Sequence, residues 1–363
     1  MSDMIFICRG NLGKSKYYHA NIKPFVDLSY GLAILGITSK ILLHNDDKHL
    51  IDKIKEVTQN MVEIELYEDN NVENVLERNS HSFIIVDDDV KFLQRLHKMK
   101  IVSDRVVVYV QYLWGLNTNN PYLRKYNFKL MLGSFLPWKI LSRKYVNILK
   151  NYKIIISNSQ TCGYVLQQLY KIKISGVVYP PVGTDMLNEA LQANTTNLEK
   201  RGIFISLGHY PDAYSRDLSK EISELKSGYC GPVRILVSDE YTREKFEGSG
   251  VDIFMNITVA ELVKLYSQSE LTYIPTTYEL FGYMGAESLF CGTPVLLDTF
   301  HPFQEMLQNL HDYITISNPN DRLINVVNNM KPVNQNIKNL HEEVDSKYSA
   351  VTSAKMLLKI LRL

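Results

Sequence analysis

The sequence predicts an α/β protein built from two doubly wound domains with a cleft between them, and three observations lead there. At 363 residues and 45% apolar composition the chain exceeds one ordinary core, so two domains of roughly 170 to 180 residues each are expected. Short continuous apolar runs alternate with helix-length stretches in both halves, the pattern of parallel strands covered on both faces. Between the halves, Val177-Val-Tyr-Pro-Pro-Val-Gly-Thr-Asp185 continues neither a strand nor a helix, because two prolines and a glycine interrupt it.

The elements follow in order. Apolar residues 4–8 open the chain as a strand, followed by the glycine-bearing segment Gly10-Asn11-Leu12-Gly13 and a helix over about 16–35. Residues 39–43 read as a second strand, 49–59 as a helix and 62–67 as a third strand. Further strands are expected at 83–86, 105–109 and 152–157, with helices at 90–99 and 160–169. The second half repeats the alternation with strands at 202–207, 233–237, 252–255, 271–274 and 294–297. Its helices are expected at 217–226, 241–247, 259–268 and from about Met284 onward. Residues 343–363 read as one amphipathic helix. The domain boundaries are therefore 1–178, a hinge at 179–185, 186–342, and a terminal helix at 343–363.

Composition excludes several classes. The longest apolar stretches fall short of the ~20 residues a membrane-crossing helix needs, and residues 1–10 lack a signal-peptide pattern, so a cytoplasmic protein is expected. Cys8, Cys162, Cys230 and Cys291 are scattered without C-x-x-C spacing or adjacent histidines, which reads as four reduced core thiols and no zinc site. Net charge is +1, yet the first 170 residues carry about +6 and the remainder about −5. Residues 105–184 hold 11 Lys and Arg and not one Asp or Glu. That bias points to an anionic partner for the first half, a lipid surface, a phosphorylated acceptor or nucleic acid, against the plainer reading of a solvated basic face. Residues 129–145 mix bulky apolar side chains with Lys129, Lys139, Arg143 and Lys144, which suits lipid headgroups or a buried helix with a basic outer side.

One segment carries the chemistry. Residues 275–297 read Pro-Thr-Thr-Tyr-Glu-Leu-Phe-Gly-Tyr-Met-Gly-Ala-Glu-Ser-Leu-Phe-Cys-Gly-Thr-Pro-Val-Leu-Leu, placing Glu279 and Glu287 eight positions apart across a glycine turn. A loop ending in Phe281-Gly282-Tyr283 and a helix from about Met284 would aim backbone N–H groups and a positive helix end at an anion. Glu287 would then reach another part of the same ligand from about two turns along the helix. A phosphate between two carboxylates suggests a sugar nucleotide.

The segment resembles the E-x7-E signature of retaining family-4 glycosyltransferases. Pro275, Glu279, Gly282, Glu287, Gly292, Thr293 and Pro294 fall in register with that pattern, and Leu280 replaces a usual glycine. The resemblance implies the GT-B architecture, two Rossmann-like domains facing each other, and a transfer from a nucleotide sugar to an acceptor hydroxyl with retention. It implies that Glu279 is the catalytic carboxylate near the anomeric carbon and that Glu287 binds the ribose hydroxyls. The amides of Phe281, Gly282, Tyr283 and Met284 would hold donor sugar and phosphate. Gly208 follows the first strand of the second domain, and His209 stands where the family has an arginine, so Arg216 and then Lys220 are the candidates to neutralise the diphosphate. Gly13 belongs to the first-domain glycine loop. Gln111, with Tyr112, occupies the acceptor-side place of a family histidine, and an amide hydrogen-bonds a hydroxyl without shuttling a proton. No metal and no cofactor are expected. The expected partners are a nucleotide sugar, a glycan acceptor that is lipid-linked or on protein, and an anionic membrane in peripheral contact; nucleic acid is not expected.

Rival motifs fail on spacing. Gly13-Lys14-Ser15 after a strand ends like a P-loop, but the first glycine of that motif falls on Cys8. Asp87-Asp88-Asp89 precedes a helix, where acids cap the helix start, and so reads as capping rather than as a metal-binding Asp-x-Asp. Three other functional readings stay open: a DNA-modifying glycosyltransferase, an epimerase or phosphorylase on the same fold, and a non-catalytic sugar-binding relative.

Overall fold

A computed structural model describes residues 4–8, 22–79, 81–99, 104–111, 142–195, 200–207, 217–276, 279–318, 320–330 and 337–363. Among them, 4–184 with Tyr348–Leu363 form one compact unit and Asp185–Lys347 form a second.

The first unit runs β1 Met4–Cys8, α1 Lys23–Ile34, β2 Ser39–His44, α2 Ile51–Val57, β3 Glu63–Tyr67, α3 Val72–Arg78 and β4 Phe83–Asp87. It continues with α4 Val90–Lys98, β5 Val106–Val110, α5 Arg143–Leu149, β6 Ile154–Ser157, α6 Gln160–Gln168 and β7 Gly176–Val177. Its strands form one parallel sheet in the order β3-β2-β1-β4-β5-β6-β7. Every residue of β1 and β5 is buried, which is why these runs are apolar at consecutive rather than alternate positions.

The second unit runs α7 Leu187–Thr195, β8 Ile203–Ser206, α8 Leu218–Gly228, β9 Val233–Leu236, α9 Glu240–Phe246, β10 Asp252–Phe254 and α10 Val259–Ser267. There follow β11 Leu271–Ile274, α11 Tyr283–Phe290, β12 Val295–Leu297, β13 Ile314–Ile316, α12 Leu323–Asn329 and α13 Ile337–Tyr348. These strands are also parallel, in the order β10-β9-β8-β11-β12-β13. Its core packs Ile203, Ile205, Ile222, Leu225, Ile235 and Tyr273 between sheet and helices. Each sheet therefore reverses its winding once, between β1 and β4 in the first unit and between β8 and β11 in the second. In open parallel sheets, the crevice beyond the strand ends at that reversal is where ligands bind.

The C-terminal stretch differs from its expected single helix. The chain forms α13, breaks at Ser349, and resumes as α14 Ala350–Leu361, whose start Ser349 caps by accepting the Thr352 N–H at 3.3 Å. A serine hydroxyl that satisfies a new helix start also ends the previous one. In the first unit α14 lies on α1, and Gly31 permits the approach: a Cβ there would stand 2.1 Å from the Ala350 carbonyl oxygen.

Two smaller expectations need correction. All four cysteines are free, but Cys230 is exposed rather than in a core. Of the three adjacent aspartates only Asp89 caps α4, accepting from the Lys91 and Phe92 amides at 2.7 and 2.9 Å. Asp88 instead accepts the Gln111 N–H at 3.0 Å and the Tyr145 hydroxyl at 2.8 Å. Among the described residues no helix is long and apolar enough to cross a membrane.

Candidate functional site

The winding reversal of the second unit puts the ends of β8 and β11 side by side, with Leu271 opposite Ile203 and Tyr273 opposite Ile205. Beyond β11, Pro275 and Thr276 lead towards Glu279, Leu280 and the turn into α11. Gly282 sits at φ +93°, a left-handed conformation that a side chain would strain, and no side chain caps the helix that starts after it. A second constraint acts at the same residue: a Cβ would come within 3.0 Å of His301 Cβ and Nδ1 and 3.1 Å of the Phe303 ring. The Phe303 N–H donates to the Phe281 carbonyl at 2.8 Å, and a Cβ on Gly285 would meet the Phe303 ring at 2.4 Å. Residues 301–303 therefore fix the turn from behind.

Other contacts hold α11 in place. Ser206, the last residue of β8, donates its hydroxyl to Met284 Sδ at 2.9 Å and so ties the helix start across the reversal. Ser288 donates to Thr272 Oγ1 at 2.7 Å and also lies 3.0 Å from the Thr293 carbonyl. Lys200 donates to the Gly292 carbonyl at 2.5 Å and to Thr293 Oγ1 at 2.8 Å, at the C-terminal end of α11 where a cation is favoured. Burial brings that ammonium down to about 8.

The two glutamates differ. Glu279 keeps part of its surface exposed, yet the surrounding protein excludes enough water to push its carboxyl from 4.5 up to about 7, while the nearby Thr276 hydroxyl pulls the other way. Glu287 is half-buried on α11, and the Tyr266 hydroxyl lies near it and near Ser206. Burial foremost, and then the Glu287 charge, raises the Tyr266 hydroxyl well above its usual range. That hydroxyl faces both groups without reaching strict hydrogen-bond geometry. With α11 starting at Tyr283, Glu287 stands four residues, little more than one turn and about 6 Å along the axis, from the helix start, and not two turns.

The structure thus gathers Glu279, Phe281, Gly282, Tyr283, Met284 and Glu287 at one end of one sheet. Lys220 stands exposed in the first turn of α8, with its N–H 3.3 Å from Asp217 Oδ1 and no ion pair to a described residue. Gln111 is buried just beyond β5 in the first unit. Gly13, Tyr112, Gly208, His209 and Arg216 lie outside the described residues. Sequence reasoning missed Thr276, His301, Tyr266 and Ser206. Thr276 occupies the hydroxyl position of the signature and was legible as such, whereas His301 carried no signal. His301 is fully buried, its Nε2 lies 3.2 Å from Thr276 Oγ1, and burial drops it from 6.5 to about 4, so it is neutral at neutral pH. No group of three His, Cys, Asp or Glu among the described residues is arranged to hold a metal.

An uncapped helix start flanked by two carboxylates can hold an anion on backbone amides and a polyol on carboxylate acceptors. Solved structures share the framework. Over 100% of this chain and 98% of theirs, the sucrose-phosphate synthase from Thermosynechococcus elongatus superposes with TM-score 0.67 at 14% identity. HepE from Anabaena, in complex with UDP and glucose, matches over the whole of both chains with TM-score 0.65 at 12% identity. A UDP-GlcNAc 2-epimerase from Neisseria meningitidis, bound to UDP-GlcNAc, matches over the whole of both chains with TM-score 0.56 at 13% identity. No protein-family model matches the sequence, and no curated protein matches it at significance. The likenesses show the fold: two Rossmann-like, parallel-sheet α/β domains in the GT-B arrangement.

Proposed function

We propose that this chain is a glycosyltransferase that moves a sugar from a nucleoside-diphosphate sugar to an acceptor hydroxyl, with retention and without a metal. The observation that carries the reading is the pair Glu279 and Glu287 on either side of the uncapped α11 start, at the winding reversal of its sheet. On this reading the amides from Phe281 to Met284 hold the diphosphate and donor sugar. Glu287 accepts from the ribose hydroxyls, and Lys220 with Arg216 supplies positive charge. Glu279 faces the sugar. A carboxyl titrating near neutrality donates a hydrogen bond to a sugar hydroxyl when protonated and stabilises positive charge at the anomeric carbon when ionised, so the site favours the transition state over the bound donor. The acceptor is assigned to the first unit, with Gln111 and Tyr112 as contacts.

The likeness to an epimerase motivates a second reading, since that fold also binds UDP-GlcNAc. Incubation with UDP-sugars, with and without glycan acceptors, separates the two. Transfer or slow donor hydrolysis that persists in EDTA is expected. Interconversion of the donor's C2 epimers without acceptor would replace the transferase reading, and dependence on added manganese would remove its metal-free mechanism.

A further inference from the structure

We propose that the groove between α4 and α5 is a binding site for a phosphate-bearing polyol, the chemistry shared by an anionic lipid headgroup and a free sugar or glycerol phosphate. The inference lies wholly within the first unit and is independent of the site at the start of α11. The groove encloses about 590 Å³, room for one headgroup-sized ligand. Gln94, His97 and Lys98 line it from α4, spaced i, i+3 and i+4 and so on one side of that helix. Arg143, Lys144 and Asn147 line it from α5, and Asn151 adds a third amide.

Buried groups fix the two walls. Phe92, Leu93 and Leu96 bury the inner side of α4, and Tyr145, Ile148 and Leu149 that of α5. The Tyr145 hydroxyl donates to Asp88, just before α4, at 2.8 Å. The Tyr152 hydroxyl donates to the Leu93 carbonyl at 2.6 Å and ties the chain beyond α5 to α4.

The charges point to the ligand. No Asp or Glu lines the groove, and Lys98, Arg143 and Lys144 form no ion pair with a described residue. Their neighbours do: Arg95, on another side of α4, meets Asp69 at 2.9 Å, and Lys153, beyond α5, meets Asp104 at 2.7 Å. His97 and Lys98 stand in the last turn of α4, where the helix dipole favours cations. Arg143 and Lys144 instead occupy the first turn of α5, where positive charge opposes the dipole, and no acidic residue shares that turn. Helix stability therefore does not explain them. Cations gathered without a counter-charge repel one another, and an anion bound among them relieves that cost. Arg143 offers a fork of donors and the lysines offer point charges to phosphate oxygens, while the three amides both donate to and accept from hydroxyls. Ile148 is the one apolar residue of the lining, so the polar headgroup is the part that fits and an acyl chain is not.

The test follows the side-chain amide signals of Asn147 and Asn151 by NMR in the full chain, beside vesicle sedimentation at low salt. Glycerol phosphate is the free probe, and phosphatidylcholine vesicles containing phosphatidylglycerol are the lipid probe. Glycerol and pure phosphatidylcholine, at matched ionic strength, are the neutral controls. A response to at least one phosphate probe and to neither control is expected. It should weaken about ten-fold when Lys98, Arg143 and Lys144 are together replaced by Gln, the size of three exposed ion pairs. Replacing Lys48, Lys53 and Lys55, in and just before α2, removes the same charge elsewhere and should leave the response unchanged. Lys144→Glu separates ligand from fold, since it favours the start of α5 yet should weaken binding. The free probe acting alone identifies a soluble phosphate as the ligand, and the vesicles acting alone identify a lipid headgroup. No response to either probe, equal loss in the two triple variants, or a parent-like response in Lys144→Glu overturns the proposal. Duplex DNA moving the same signals at lower concentration than either probe overturns it as well, by making the groove a nucleic-acid contact.

Discussion

Two charged regions of this molecule are built on opposite principles. At the end of β11, two carboxylates sit among buried side chains, and one of them is pushed far from its ordinary protonation behaviour. In the first unit, α4 and α5 line a surface groove with Gln94, His97, Lys98, Arg143, Lys144 and Asn147. The four basic side chains there are exposed, and none is ion-paired to a described residue. Burial makes a charge specific, since each partner changes its energy by an amount worth measuring. Exposure makes charges additive and weak, because salt screens them beyond about 8 Å. The first region is suited to chemistry and the second to attraction.

The sharpest way to break the contrast is Glu279→Gln. If the half-buried carboxylate acts on the donor, transfer falls about 10²- to 10³-fold while circular dichroism is unchanged. A variant retaining most of its activity would move the chemistry elsewhere.

The same substitution should stabilise the protein, and the effect has a sign. The Glu279 carboxyl titrates at about 7 when folded and near 4.5 when unfolded, so the folded state holds its proton longer and loses stability as pH rises from 4.5 to 7. Glu279→Gln is therefore expected to exceed the parent by on the order of 1 to 3 kcal/mol above pH 7, with no gain below about pH 4.5. Urea unfolding at pH 4.5 and pH 8 measures it. His301 works the other way. Its folded value of about 4 lies below the ordinary 6.5, so its burial favours the folded state least at low pH and stability declines as pH falls from 6.5 to 4.

How much of this contrast could be read beforehand depends on range along the chain. Strand β11 appears at its expected residues because Leu271–Ile274 is a short apolar run closed by Glu270 and Pro275, all local information. Helix α11 begins within one residue of expectation because Gly282 needs a left-handed turn. Local signals failed where the pattern was thin. Helix α3 turns only Val72, Val75 and Leu76 inward from a run of polar residues, and α7 lies just past the proline-rich stretch. The break at Ser349 went unseen because amphipathic periodicity continues across it. His301 was invisible for a different reason: its meaning lies in contacts with Thr276 and Gly282, made across 25 and 19 positions of sequence. The basic bias of residues 105–184 was plain in the sequence, but its joining with His97 and Lys98 of α4 needed the fold.

The smallest expected effect tests the other half of the comparison. Replacing Lys98, Arg143 and Lys144 together by Gln should reduce sedimentation with anionic liposomes several-fold at low salt and by little at high salt, with donor affinity unaltered, since each cation near such a surface contributes about 1 kcal/mol before screening. Equal sedimentation of variant and parent at low salt would make the groove a solvated basic face.

The most direct measurement is a calorimetric titration of the full chain and of Glu287→Ala with UDP, GDP, ADP and CDP. At least one nucleoside diphosphate should bind the parent, and losing a charge-assisted hydrogen-bond pair to the ribose should weaken it by about 1.5 to 3 kcal/mol, roughly 10- to 150-fold. Parent-like affinity in Glu287→Ala, or no nucleotide bound by the parent at all, would contradict a sugar-nucleotide site at the start of α11.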